Sequence, residues 1–450
     1  MSLVVVLDDD PTGTQAASGV TVLFDASVDG IVEALRADGA VYVQTNSRAI
    51  DEAAAVALAR VLRERILAAE AVLGEPILVV LRGDSTLRGH VFAESDVFAD
   101  GAGRILLVPA FPGGGRTTID AVHRVRIDGV DTPVGETEFA RDPVFGYRSS
   151  NLVEWVAERG ARAAVPVPLG ALRSSDGAAV ADAIAAAAPG EVVVPDVETD
   201  ADVALIHRGL LAATAAGVPV VVRCAATLAA RTADRLSDGL LERPIARPAP
   251  AGVLVVCGSH TGAAGAQLAR LTAALGEPPV VVPTDAAFAD PTAAGAVAAA
   301  AVAQRLAARG IAVLASERER RAEDDTLAHG DAVMRALMAA ARELAPRVGT
   351  IVSKGGITSA EVGRVAFGAD RARVRGQVAA GISVFDLPTA DGPRVQVVVP
   401  GNVGGPDTLV DVVGALAIDG LALDGLVRDG FALDGLMRDG FALDGTTTDE

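Results

Sequence analysis

Residues 76–80 read Pro-Ile-Leu-Val-Val, and the next ten read Leu81-Arg82-Gly83-Asp84-Ser85-Thr86-Leu87-Arg88-Gly89-His90. The first five form a short, β-branched apolar run, the pattern of a buried strand. The ten that follow gather two arginines, an aspartate, two hydroxyls and two glycines where that strand should leave its sheet. In open α/β sheets, ligands bind outside the carboxyl ends of the strands. Arginine offers a planar fork of donors suited to carboxylate or phosphate, whereas an ionised aspartate only accepts. Both signs together suit a small anionic molecule with several hydroxyls. The plainer reading is an Asp–Arg pair that ties down a tight turn.

The same grammar recurs on either side. Residues 3–7 are an apolar run that ends in Asp8-Asp9-Asp10-Pro11-Thr12-Gly13-Thr14-Gln15. Three adjacent carboxylates repel one another, which requires a cation or paired donors; the simpler alternative is an Asx-type turn with solvated acids. Residues 20–24 and 41–44 read as further strands, the second ending in Thr45-Asn46-Ser47-Arg48. A helix is predicted over 51–67, with acids in its first turn as the helix dipole prefers. A strand over 105–108 runs into Pro109-Ala110-Phe111-Pro112-Gly113-Gly114-Gly115-Arg116-Thr117-Thr118, where glycines let the backbone approach a ligand and offer amide donors. Glu138-Phe139-Ala140-Arg141-Asp142-Pro143 adds another mixed-charge cluster. From 151 to 236 the pattern alternates helix, strand (191–194), helix, strand (218–223), helix, which implies a parallel sheet covered by helices.

Three prolines within residues 243–250 read as an extended linker. A second α/β unit opens with a strand over 253–256 that leads through Cys257-Gly258-Ser259-His260-Thr261-Gly262 into a helix over 263–275. A strand, small residues and then a helix N-terminus is an arrangement that holds phosphates. Further strands are predicted at 280–282, 311–315, 349–352 and 397–399, with a long Ala-rich helix and another around 331–344. The last two strands lead into Ser353-Lys354-Gly355-Gly356-Ile357-Thr358-Ser359 and Pro400-Gly401-Asn402-Val403-Gly404-Gly405-Pro406-Asp407. Three glycine-bearing turns after three strands of one domain point to a nucleotide site. From Asp419-Gly420 to Asp444-Gly445 an Asp-Gly pair recurs every five residues, and about six such units are too few to stack a solenoid core. The repeat reads as a low-complexity, non-catalytic tail.

Composition narrows the options. A chain of 450 residues is expected to form two or three domains. The formal charge of −19 argues against nucleic acid and anionic membrane surfaces as partners. No apolar stretch is a convincing membrane span. Two cysteines, each after an apolar run, form no disulfide framework, and no basic leader opens the chain, which together predict a cytoplasmic protein. The sequence is compatible with a homo-oligomer. Of the 39 basic residues Lys354 is the single lysine, a compact charge that arginine does not replace well. No GxxxxGK[ST], HExxH, GxSxG or Cys/His metal cluster occurs, and no GxGxxG follows the first strand. A triple aspartate there disfavours a dinucleotide and hence hydride transfer.

The combination resembles the four-carbon acid sugar kinases, formerly a domain-of-unknown-function family. Asp9, Asp10, Thr12 and Gly13 match its D-D-x-T-G turn; Arg82 and Asp84 to Gly89 match (K/R)-x-DSTLRG. Pro109 to Thr118 match PAFP-x-x-GRTT, and Thr137 to Pro143 match T-x-FARDP. In the second half, Gly258-Ser259, the GG-x-TS loop from Gly355 to Ser359 and the PGN-x-GG loop from Pro400 to Gly405 match in order. The resemblance covers all but the tail. Two departures stand out: Asp8 adds a third acid, and residues 144–150 lack the proline that usually follows RDP.

The resemblance implies two α/β domains with mainly parallel sheets, a ligand cleft between them and a low-complexity tail. The expected division is an acid-sugar-binding domain over 1–242, a linker over 243–251, a nucleotide-binding domain over 252–415 and a tail over 416–450. It implies ATP and Mg²⁺ as cofactors and a small acid sugar as partner, a tetronate or 3-oxo-tetronate phosphorylated on its terminal hydroxyl. Asp9 or Asp10 would be the base, with Asp10 the Mg²⁺ partner. Arg82, Asp84, Ser85, Arg88, Arg116 and Thr117 would bind the acid sugar, with Arg88 and Arg116 on its carboxylate. Ser259, Lys354, Gly355, Gly356, Thr358, Ser359, Gly401, Asn402 and Gly404 would hold the nucleotide. The alternatives are a kinase of a five-carbon or branched aldonate, an NAD-dependent dehydrogenase, and a non-catalytic two-domain solute receptor.

Overall fold

The computed structural model describes residues 3–127, 129–245, 252–318, 327–401 and 403–416. Asn402, most of the expected linker and all but the first residue of the expected tail lie outside them.

Eight strands of the first half lie side by side and parallel: β1 (Leu3–Asp8), β2 (Val20–Leu23), β3 (Ala40–Gln44), β4 (Ile77–Arg82), β5 (Arg104–Val108), β9 (Ala164–Val167), β10 (Val192–Pro195) and β11 (Val220–Cys224). Their order is β2-β3-β1-β4-β11-β5-β10-β9. Between β5 and β9 the chain forms a separate antiparallel sheet of β6 (Arg116–Ile119), β7 (Val122–Ile127) and β8 (Val130–Pro133). The second half builds β12 (Gly252–Cys257), β13 (Val280–Val282), β14 (Ile311–Ser316) and β15 (Val348–Lys354). Its last three strands are β16 (Arg371–Ala379), β17 (Ile382–Leu387) and β18 (Arg394–Val399). Here β13-β14-β12-β15-β18 run parallel, and β17 and β16 continue the sheet antiparallel.

The two α/β halves share one sheet. β16 pairs antiparallel with β2, from Arg371 opposite Leu23 to Val374 opposite Val20, so fifteen strands form a continuous surface. Alternate residues of each central strand feed opposite cores, as period-two geometry requires. Val4 and Val6 join one apolar cluster and Val5 and Leu7 another. In the second half Leu254 and Val256 face one cluster while Val253, Val255 and Cys257 face the other. The covering helices carry ordinary stop and start signals. Asp51 caps Glu52–Leu73 by accepting from the Ala54 amide, and Gly74 ends it at φ 72°.

The chain reverses direction across the sheet at β1 in the first half, which has β3 on one side and β4 on the other, and at β12 in the second, between β14 and β15. Such switch points open a crevice at the strand ends. Asp8–Asp10 and Gly83–Arg88 emerge at the first; Gly258–Ser259 and Gly355–Gly356 emerge at the second.

Several boundaries differ from the sequence expectation. β4 extends through Leu81 and Arg82, and β15 through Ser353 and Lys354, because their side chains are buried among neighbouring strands. The edge strand β9, the small sheet β6–β8 and the antiparallel pair β16–β17 were not anticipated. Ile245, placed in the linker, is fully buried in the second half. The last described helix, Thr408–Leu416, ends on buried Leu416, one residue beyond the expected tail boundary. Cys224 and Cys257 are free and buried, as their apolar settings predict. Among the described residues no helix is long and apolar enough to cross a membrane.

Candidate active site

The repulsion among the three consecutive aspartates is offset by three arginines, which they partly share. Asp8 stands opposite Arg82 in the β1–β4 register, and Arg82 donates to it at 3.2 Å. Asp9 accepts from Arg223 at 2.9 Å, and Arg223 also donates to Glu94 at 2.8 Å. Asp10 pairs with Arg48 and accepts from both the amide and the hydroxyl of Thr12 at 2.7 Å. Paired donors are thus present at all three acids, and the Asp10–Thr12 bonds close an Asx-type turn as well.

Burial separates these acids. Asp8 and Asp9 are 3% and 2% exposed, whereas the Asp10 side chain is 20% exposed. Burial pushes the Asp8 carboxyl up to about 7, with Arg82 opposing and Asp9 adding to the rise. Asp8 also explains its neighbour: a β-carbon on Gly13 would lie 1.9 Å from the Asp8 carboxylate. Asp9 is sealed by Gly89, whose backbone (φ 125°) passes so close that a β-carbon would stand 3.1 Å from Asp9 Oδ2.

Around Asp84 the arginines converge. Arg88 donates to it at 2.7 Å and Arg48 lies at 3.5 Å, while Thr86 donates its hydroxyl. Burial raises the Asp84 carboxyl, but the two guanidiniums and these hydrogen bonds outweigh it and hold the group well below the usual carboxylate range. The Asp–Arg pair that ties down the turn is therefore present. Arg88 reaches further, to 3.8 Å from Asp142 and over the Phe139 ring at 5.1 Å, which brings the E-F-A-R-D-P stretch into the site. Arg116 differs from the other arginines here. It donates to the Gly114 carbonyl, its Nε is buried without a partner, and among the described residues no carboxylate lies within ion-pair distance. Thr117 follows it, half-buried, on β6, and Ser85 is half-buried beside Asp84.

Four participants were missed by sequence reading: Arg48, Glu94, His123 and Arg223. His123 Nε2 faces the Ser85 carbonyl at 2.8 Å, and its Nδ1 is 2.9 Å from the Thr118 hydroxyl. Burial pulls its imidazole down to about 4, so it is neutral, with Nε2–H donating and Nδ1 accepting. The signal for Arg223 was a charge closing an apolar run; that for Arg48 was a charge at a strand terminus.

In the second half the three glycine turns converge. A β-carbon on Gly258 would meet the Thr358 hydroxyl at 2.5 Å, one on Gly355 would meet Ser259 Cβ at 2.9 Å, and one on Gly401 would meet Ser259 Oγ at 3.1 Å. Thr261 caps the helix Gly262–Leu275 and donates its hydroxyl to the Gly401 carbonyl at 2.8 Å. Ser359 turns inward, donating to the Gly355 carbonyl at 2.8 Å. Gly404 is exposed at φ 85°, packed against Thr408. Lys354 is wholly buried and donates to the Pro400 carbonyl at 2.6 Å. Burial pulls its ammonium down to about 8.

The two groups meet at one point. A β-carbon on Gly356, in the second half, would lie 3.5 Å from Oδ1 of Asp10, in the first.

Residues 4–232 match the sugar-binding N-terminal domain family and residues 254–409 the nucleotide-binding C-terminal domain family. The chain belongs to the four-carbon acid sugar kinase family. It is 34% identical over 203 residues to a D-threonate kinase of Cupriavidus necator, a match that covers 44% of this chain and 46% of that protein. The match thus spans about half the length of that curated relative. Two solved structures share the fold: a Haemophilus influenzae protein of a domain-of-unknown-function family (TM-score 0.61, 15% identity, 92% of this chain and 100% of that one) and a Salmonella typhimurium LT2 protein (TM-score 0.64, 16% identity, 92% and 98%).

Proposed function

We propose that the chain transfers a phosphoryl group from ATP to the terminal hydroxyl of a four-carbon acid sugar, a tetronate or 3-oxo-tetronate, giving the 4-phosphate and ADP. The observation that carries this reading is the approach of Asp10 to Gly356. A partly exposed carboxylate among mixed-charge turns faces a cradle of glycine turns, as acceptor and donor require. The D-threonate kinase relative supports a four-carbon acid as the acceptor.

Phosphoryl transfer depends on positioning and charge neutralisation. Arg116, a half-buried cation whose Nε is buried without a partner and which has no acid partner among the described residues, takes the substrate carboxylate, helped by Arg88. Asp84, Ser85 and Thr117 orient the hydroxyls. Asp10 accepts the proton of the attacking hydroxyl; Asp9 and Arg82, both buried, hold the floor of the site and keep Asp10 aimed outward. The backbone around Ser259, Gly355, Gly356, Gly401 and Gly404 cradles the phosphates, while Thr358 and Ser359 fix the turn and Lys354 supplies charge from beneath. Magnesium on ATP keeps several waters and takes one or two protein carboxylates. Asp10 fits that requirement, since it is the partly exposed acid beside the glycine turn. When bound, the ion neutralises phosphate charge.

The test is ADP release from ATP and Mg²⁺ over a panel of four- and five-carbon aldonates and their 3-oxo forms. Turnover best with a four-carbon acid is expected. Preference for a five-carbon or branched acid would move the substrate, and no ADP with any acid would overturn the kinase reading.

A further inference from the structure

The Gly258–Ser259 turn has a cation on each side. On one side stands Lys354, at the end of β15, opposite Cys257 in the strand register. On the other stands Arg318, two residues past the end of β14, whose Ala315 is also opposite Cys257. Arg318 donates to the Ser259 carbonyl at 2.6 Å and lies 3.8 Å from Cys257 Sγ. Lys354 donates only to the Pro400 carbonyl.

Neither cation has a carboxylate within ion-pair distance among the described residues. In the acid-sugar half, Arg116 apart, the arginines of the site are spent on acids: Arg48, Arg82, Arg88 and Arg223 each pair with a carboxylate. In a chain with net charge −19, two uncompensated cations against one turn are conspicuous. Cations on either side of one turn, with no carboxylate beside them, favour an anion placed at that turn. A guanidinium has five donors in a fork that matches phosphate oxygens, and the two contacts to Ser259 and Cys257 leave the rest of the fork available.

We propose that Arg318 is a nucleotide-binding residue that contacts the phosphate chain, opposite Lys354 across the Gly258–Ser259 turn. This rests on the nucleotide reading of that turn and adds a residue that lies outside all the family motifs. Its bond to the Ser259 carbonyl holds the guanidinium at the turn, where phosphates carried on the glycine amides come within its reach. The contact is to phosphate rather than base, so its strength grows with the number of phosphates.

The experiment is calorimetric titration of the full chain with AMP, ADP and ATP, comparing wild type with Arg318→Gln and Arg318→Lys. For Arg318→Gln, ATP and ADP affinity is expected to fall about 10- to 100-fold, the range of a charged hydrogen bond, AMP affinity to fall less, and acid-sugar affinity to stay unchanged. Arg318→Lys keeps the charge without the fork and should recover part of the loss. Equal weakening for all three nucleotides, or none, would show that Arg318 only ties the Ser259 turn and would overturn the proposal. A wild type that binds none of the three would instead defeat the nucleotide reading itself.

Discussion

Lys354 donates to the carbonyl of Pro400 at 2.6 Å from a position closed to solvent, so the chain's single lysine links two of the three glycine turns. A buried cation without an acid partner costs stability. Lys354→Met preserves length and removes the charge. Its melting temperature should hold or rise at pH 7, while ATP affinity falls by about tenfold or more. Lys354→Arg, bulkier and planar, should also be impaired. A melting temperature lowered by several degrees with unchanged ATP affinity would make Lys354 a structural tie alone.

The same residue sets a pH dependence. Burial places its folded-state value near 8, below the ordinary 10.5. The folded chain therefore releases this proton before the unfolded chain does, so stability contributed by this group rises from about pH 8 toward 10.5. Nucleotide affinity should move the other way, falling as pH climbs through about 8 and the charge is lost. Titrations of ATP binding between pH 6.5 and 9.5 check this; Lys354→Met should flatten the curve.

Two glycines separate packing from function. At Gly13 an added methyl collides with the Asp8 carboxylate, and Gly13→Ala should cost about 1–3 kcal/mol of stability in urea unfolding. At Gly356 the nearest atom is Asp10 Oδ1 at 3.5 Å, an ordinary contact. Gly356→Ala should leave unfolding unchanged and lower kcat/KM, because on the proposed function the methyl fills the gap between Asp10 and the nucleotide.

The arginines divide in the same way. Arg223, 3% exposed, is the cation of buried Glu94 and the nearest of three to Asp9, which keeps Arg48 at 3.4 Å and Arg82 at 3.8 Å, so Arg223→Gln should lose about 3–5 kcal/mol of stability, mainly through Glu94. Arg48 is 15% exposed. Because Arg48 also pairs Asp9 and Asp84, Arg48→Gln should cost stability as well, and should reduce kcat at least about tenfold by freeing Asp10 from its aim.

The alternating α/β pattern and the turns at strand ends were legible because buried parallel strands read as short apolar runs, and the residues that follow them carry the chemistry. β16 was readable in principle, since Arg371, Arg373 and Arg375 alternate with buried Ala372 and Val374, but no apolar run announces it. The joining of the two halves through β2 and β16 is a contact between residues some 350 apart and leaves no local signal. Arg223 and Glu94 escaped for the same reason: their partnership exists only once β11 lies beside β4. Lys354 was legible by its rarity, while its burial was not, because the strand continues two residues beyond its last apolar side chain.

The end of the folded region gives a further check. Ala415 and Leu416 are 1% and 0% exposed. A chain ended after Gly414 should melt several degrees lower than one ended after Leu416, whereas the latter should match the full chain in turnover and melting, because about six Asp-Gly units are too few to stack a core of their own.

The central claim is that Asp10 works between an acid sugar and ATP, and single-turnover phosphorylation of a four-carbon acid by Asp10→Asn tests it most directly. The account predicts a rate lowered by about 10²-fold or more, with ATP affinity within twofold of wild type and the wild-type product phosphorylated on the terminal hydroxyl. Near-normal turnover by Asp10→Asn would contradict it.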